Sequence, residues 1–339
     1  MTRLPPKSNE RGFRELSAGF RIQNRSCRVS WGACGLAAGL ILAGLGGGCV
    51  PHGPSSRPDL AWGQRGTSRG QLQKPRAMVI DKSDQVYIVD MTGRIQVFSA
   101  DGRYVRGWRT PEIANGKPCG LTFDISGNLL VADTHYFRVL AYTPFGRLLA
   151  DRCLGGRSGR GPGEFNFVTD AVQDSRGCYY VSEYGDCDRI QKLSPEGRYL
   201  MQWGGRGRSP GQFARPQSLA VDAQDRVWVA DACNHRIQVF DATGSEARLV
   251  KIWGQEGQAP GQLCYPYDLA LDGRGHLYVC EFGNHRVQKF TLDGQSLGCW
   301  GTSGRQVGEL SSPWALALDS RHRVYVLDTY NHRVQRVRL

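Results

Sequence analysis

Asn234-His235-Arg236-Ile237-Gln238 returns as Asn284-His285-Arg286-Val287-Gln288 and again as Asn331-His332-Arg333-Val334-Gln335. Each copy follows a β-rich run ending in an acid: Val227-Trp228-Val229-Ala230-Asp231, Leu277-Tyr278-Val279-Cys280-Glu281 and Val324-Tyr325-Val326-Leu327-Asp328. The copies lie about fifty residues apart, and each unit has room for several short strands. Self-similarity at that period marks a repeat architecture, in which each unit buries its apolar faces against its neighbours.

Outward from this stretch, the full unit has a first strand ending in Asp, a turn, a second strand, the acid, the Asn-x-Arg turn, a third strand and a Trp-Gly end. The first-strand Asp recurs at 81, 124, 174, 222, 272 and 319, and the Arg at 94, 138, 189, 236, 286 and 333, so both anchors count six copies. The last copy stops at Leu339 without a Trp-Gly strand, while Leu60-Ala61-Trp62-Gly63 supplies one ahead of the first copy. The two ends therefore complement each other. The expected fold is all-β: a six-bladed β-propeller of four-stranded blades over 60–339, its last blade closed by the N-terminal strand. Ring closure removes the exposed edges of an open array.

This motif set resembles the NHL-repeat family. The resemblance implies a propeller that usually presents a binding surface. Animal members often append it to tripartite-motif ubiquitin ligases, and relatives include peptide-amidating lyases and bacterial sensor domains. No RING-type Cys/His cluster precedes the repeats here, so ligase activity is not implied. The lyases hold a catalytic zinc through His near the channel. The first-strand segments here carry no His, so that chemistry is not carried over.

Most repeated residues read as scaffold. Each Arg is expected to bridge its acid to loop carbonyls of its own blade, a task suited to the donor fork of a guanidinium. The first copy shortens the turn to Asp90-Met91-Thr92-Gly93-Arg94, and the second has Tyr136 in place of Asn; both are expected to hold their loops differently. Leu72, Phe165, Phe213, Leu263 and Leu310 read as plugs between blades. Within Arg236-Ile237-Gln238-Val239-Phe240, Ile237 and Phe240 are read as facing opposite Val239. His235, His285 and His332 occupy equal positions on different blades, so they should not converge on one metal; no metal or cofactor is expected. Gly155-Gly156-Arg157-Ser158-Gly159-Arg160-Gly161 lacks the Lys-Ser/Thr of a phosphate loop and reads as an inter-blade loop.

Function should sit where the copies differ, at the starts of the first strands. These read Arg76-Ala77, Cys119-Gly120, Thr169-Asp170, Gln217-Ser218, Tyr267-Asp268 and Trp314-Ala315. Polar groups among aromatics in a concave mouth form a binding-site pattern. Arg76, Thr169, Asp170, Gln217, Tyr267, Asp268 and Trp314 are the candidate ligand-binding residues. Asp170 and Asp268 are read as partners for a cation or amine, with Tyr267 and Trp314 as stacking walls.

Residues 1–48 differ from the rest. They carry seven basic and two acidic residues, and Trp31 to Gly48 holds no charge. Gly35 to Leu45 fits the apolar region of an export signal, followed by Gly46-Gly47-Gly48-Cys49. This resembles a bacterial lipoprotein leader, although Leu45 sits four residues before Cys49 instead of three. It implies lipidation at Cys49, a Pro/Ser linker over 49–59, and a cell-envelope location at the periplasmic or outer-membrane face. Val50 points away from inner-membrane retention. The net charge of +12 falls to +7 without residues 1–48. Export permits disulfides, with Cys178–Cys187 a candidate pair; Cys233 and Cys280 read as small thiols within repeats.

The function expected is an envelope-anchored, non-enzymatic scaffold that recognises a protein or peptide at the channel mouth. One rival is a propeller enzyme, a lyase or metal-dependent lactonase or hydrolase, with its site at the channel. The other is a cytosolic protein- or RNA-binding module; nucleic acid is disfavoured for an exported chain. Intact-mass analysis of protein from native membranes should show a lipidated N-terminus at Cys49 that is lost in Cys49→Ala; an unprocessed Met1 would overturn the export reading.

Overall fold

A computed structural model describes residues 57–339. The leader 1–48, Cys49 and the linker as far as residue 56 lie outside the described residues. The described strands form six four-stranded antiparallel sheets. Their innermost strands are Pro75–Ile80, Gly120–Phe123, Phe167–Gln173, Pro216–Val221, Pro266–Leu271 and Ala315–Leu318. Five blades take four consecutive strands. The sixth takes three from the C-terminus and one, Leu60–Trp62, from the N-terminal side. That strand pairs with Arg333–Val337 in the register Leu60↔Arg336, Ala61↔Gln335, Trp62↔Val334. Asp59 extends the seam, its carboxylate 2.7 Å from the Arg336 guanidinium.

Apolar residues fill the seams between blades. Leu72 packs with Met78 and Ile88 of the first blade and Tyr325 and Leu327 of the sixth. Phe213, Leu263 and Leu310 do the same at later seams, each fully buried. One strand reading is corrected. Ile237 and Val239 share the face packed on the fifth blade, while Phe240 faces the third, because side chains alternate and the register shifts between Val239 and Phe240. The Trp-Gly ends have a backbone cause: Gly254 has φ +102°, and a Cβ there would lie 3.0 Å from Arg236 Cα.

Each guanidinium closes its blade. Arg236 donates through Nε to Asp231 at 2.7 Å and through its terminal nitrogens to the carbonyls of Arg208, Ser209 and Gln212. Arg286 repeats this with Glu281 and the carbonyls of Gln258, Ala259 and Gln262. The departing copies behave differently. In the first blade Thr92 stands in for Asn, accepting from Arg94 while bonding Asp90. In the second, Arg138 pairs with both Asp133 and Glu112 and lies over the Tyr136 ring.

The repeated histidines staple blades together. Nδ1 of His235 accepts the Tyr265 N–H at 3.1 Å, that of His285 the Ser312 N–H at 2.8 Å, and that of His332 the Lys74 N–H at 3.0 Å. In the third blade Asp188 takes this place and accepts from Arg215 N–H. The His332 staple and an Asp84–Ser320 clasp join the last blade to the first.

Cys178 and Cys187 are free. The strand Tyr179–Tyr184 runs between them, holding them about 20 Å apart, far beyond disulfide reach. Cys280 is fully buried.

The staples set a pH dependence. Burial pushes all three imidazoles below their ordinary pKa, and Nδ1 can accept only when unprotonated. Their stabilisation is therefore complete above the unfolded-state pKa of about 6.5 and is lost as pH falls through the lower folded values. Replacing His235, His285 and His332 by Asn, which tolerates left-handed backbone and does not titrate, should flatten the fall in Tm between pH 7 and 5. Parallel Tm curves for the two proteins would refute the staple role.

Candidate functional site

The six innermost strands line a central cavity of about 350 Å³. Of the expected ligand-binding residues, Arg76, Asp170, Gln217, Tyr267, Asp268 and Trp314 border it. Thr169 does not. It is fully buried, its hydroxyl 2.7 Å from Ser182 Oγ and donating to the Pro216 carbonyl at 2.5 Å, so it ties the third blade to the fourth.

The two carboxylates are also committed to the wall. Asp170 accepts the N–H of Ala171 and, at 2.9 Å, that of Leu219 on the next blade. Asp268 accepts the N–H of Leu269, the N–H of Leu316 at 2.9 Å and the Ser218 hydroxyl at 2.7 Å, so it ties three blades. Burial lifts Asp170 to about 7, with Asp268 adding repulsion against the pull of the N–H donors. Burial lifts Asp268 to about 6 against its own donors. Near neutrality Asp268 is therefore largely ionised and Asp170 only partly so, and the oxygens of both face backbone amides.

The rings form one cluster. Tyr267 stacks on Phe282 with centroids 4.5 Å apart and meets Trp314 edge-on at 4.9 Å. Both are buried, at 8 % and 9 % exposure, packed with Ala232 and Phe282, and cations lie against them. The Arg76 guanidinium lies 4.8 Å from the Trp314 ring. Arg215 lies 5.3 Å from Tyr267 and 4.8 Å from Tyr184. Such stacking suits the planar, weakly hydrated guanidinium. What the mouth presents is therefore largely guanidinium on an aromatic base.

Sequence reasoning missed Arg215. It precedes Pro216 with φ +61°, and Lys74, Tyr265 and Ser312 take the same left-handed conformation before their prolines. A residue before proline normally prefers extended backbone; here the acceptors on the preceding blade hold these N–H groups in place. The signal available was that these four residues differ between copies, as the ring residues do. Gln217 fixes the result, its Oε1 accepting Arg215 Nε at 2.8 Å. Cys119 sits beside the arginines with its Sγ 3.0 Å from Thr134 Oγ1, and burial pushes its thiol pKa up. Among the described residues, no three His, Cys, Asp or Glu side chains converge as metal ligands would.

The family model for the NHL repeat matches residues 213–240, 263–290 and 310–337. Each match runs from a seam plug through the locking Arg to the third strand. This chain is a six-bladed β-propeller that carries NHL repeats. Rat peptidylglycine alpha-amidating monooxygenase is 38% identical to it over 138 residues, which is 38% of this NHL propeller and 14% of that enzyme. Human NHL repeat-containing protein 3 is 32% identical over 165 residues, 46% of this chain and 48% of that protein. The matches thus span at most about half the length of these relatives. Among solved structures, virginiamycin B lyase from Staphylococcus aureus superposes with a TM-score of 0.55 at 12% identity, over 78% of this chain and 94% of that one, a likeness of fold alone.

Removing the Asp268 side chain orphans two N–H groups and a hydroxyl at a three-blade junction. Asp268→Ala should destabilise the propeller by about 2–4 kcal/mol, read as a Tm lowered by several degrees; an unchanged Tm would contradict the clasp.

Proposed function

We propose that this NHL propeller is a non-enzymatic binding module that takes a protein or peptide ligand at its channel mouth, held at the cell envelope through lipidated Cys49. The observation that carries the binding role is the mouth itself: a concave, rigid platform in which Arg76 and Arg215 lie over Trp314, Tyr267 and Tyr184. Aromatic and Arg anchors in a preformed recess are the residue types that dominate binding energy at interfaces. Neighbouring blades hold them in place, so little ordering is required when a ligand arrives. The envelope location rests on the sequence of residues 1–49.

The rival reading is a lyase with its site in the same channel. Its support is the match to the amidating monooxygenase and the shared fold with virginiamycin B lyase. Against it stand the inner strands, which carry no His, and the carboxylates Asp170 and Asp268, which accept backbone N–H groups.

Selection of peptides from a random library against the full-length protein, followed by titration calorimetry, tests the binding role. Tyr267→Ala with Trp314→Ala removes the aromatic base under both guanidiniums. It should weaken a selected peptide by about a hundredfold or more while far-UV circular dichroism keeps the propeller signature. Unchanged affinity would refute the mouth as the site.

A further inference from the structure

The expected polarity of the mouth is reversed. The acids that seemed available for a cation are bound to backbone amides. The cations carry no acid. Arg76 lines the cavity, is only partly exposed, and among the described residues makes no ion pair or hydrogen bond. Arg215 spends its Nε on neutral Gln217 and leaves its two terminal nitrogens without a partner among the described residues. Burial weakens the hold of Arg76 on its proton, and the charge of Arg215 adds to that effect. Both charges act on Cys119 and on Tyr184, so they bear on one common space. Two partly desolvated guanidiniums repelling each other over an aromatic base is an unfavourable arrangement when empty. Asp170, already held by backbone amides, is the acid that bears on the same space through Cys119. The Gly-rich loops running to the inner strands carry Arg65, Arg69, Arg208 and Arg305, all exposed and without an ion pair among the described residues.

The geometry points to an oxyanion site: Arg76 and Arg215 together grip a carboxylate or phosphate group of the ligand, while the Tyr267–Phe282–Trp314 cluster supports an attached ring or apolar side chain. Planar forks match these oxyanions through paired N–H donors. The anion cancels the repulsion between the two cations, and the loop arginines raise its local concentration from a distance. This inference rests on the mouth being the binding site and specifies the chemistry that it recognises.

Titration calorimetry at low ionic strength separates the possibilities. The probes are N-acetylphenylalanine for the carboxylate, phenyl phosphate for the phosphate, and N-acetylphenylalaninamide as the neutral counterpart. One or both anions should bind at least about tenfold more tightly than the amide, the order of one charge-assisted hydrogen bond. Added salt should narrow that gap. Arg76→Gln and Arg215→Gln should each abolish most of the preference, and Arg76→Lys should retain part of it. Among the described residues the Arg76 side chain makes no hydrogen bond, so Arg76→Gln loses only its stacking on Trp314 and should keep a cooperative unfolding transition with Tm lowered by a few degrees at most. Preference for carboxylate or for phosphate identifies the source of the oxyanion. Equal binding of the amide and both anions, or a preference unchanged in both Gln variants, would overturn the oxyanion site. A library-selected peptide that is sensitive to Tyr267→Ala with Trp314→Ala but indifferent to Arg76→Gln would overturn this inference and leave the mouth standing as a peptide site. Anions held in an Arg76-dependent way by a protein that selects no peptide would establish the oxyanion site and refute the peptide reading.

Discussion

The buried guanidinium of each repeat is the interaction on which the rest depends. A four-stranded blade cannot stand alone, because both its faces are apolar, and the glycine-rich loop leading into it packs mainly through its plug residue, such as Phe213. Arg236 holds that loop by three carbonyls and is itself held by Asp231. The same acid accepts the Ala214 N–H at 2.7 Å, just before the inner strand begins. One ion pair thus sets where the loop ends and where the inner strand starts. Burying it is tolerable because nearly every donor is matched; removing one partner would strand a charge in the seam.

Ring closure extends the same economy of contacts around the molecule. Each His or Asp at the left-handed turn accepts an N–H from the following blade, and the sixth blade uses His332 to reach the first. The staple holds the residue before proline in a left-handed conformation that it would otherwise avoid. At Arg215 that conformation is what places a long cationic side chain over the rings of the mouth. Scaffold and site are therefore linked through one backbone bond.

The scaffold was legible because it repeats. Six in-phase copies locate the blades, the acid-plus-Arg locks and the plug residues, and the complementary ends locate the closing strand. The site was legible only as positions. Six of the seven ring residues do border the cavity, but their roles were not readable. Thr169 forms part of a seam, the two Asp side chains serve as clasps, and Arg215 was missed. The Cys178–Cys187 pair failed for a related reason: proximity along the chain ignores the extended strand between them.

By itself the sequence determined periodicity, and with it the number of blades, their strand order and the place of ring closure, since these depend on patterns repeated along one chain. Only the tertiary structure decided the electrostatic character of the mouth. That character arises where strands from different blades converge. There, Asp170 and Asp268 accept a neighbour's amides, while Arg76 and Arg215 lie over aromatic rings with no ion pair among the described residues.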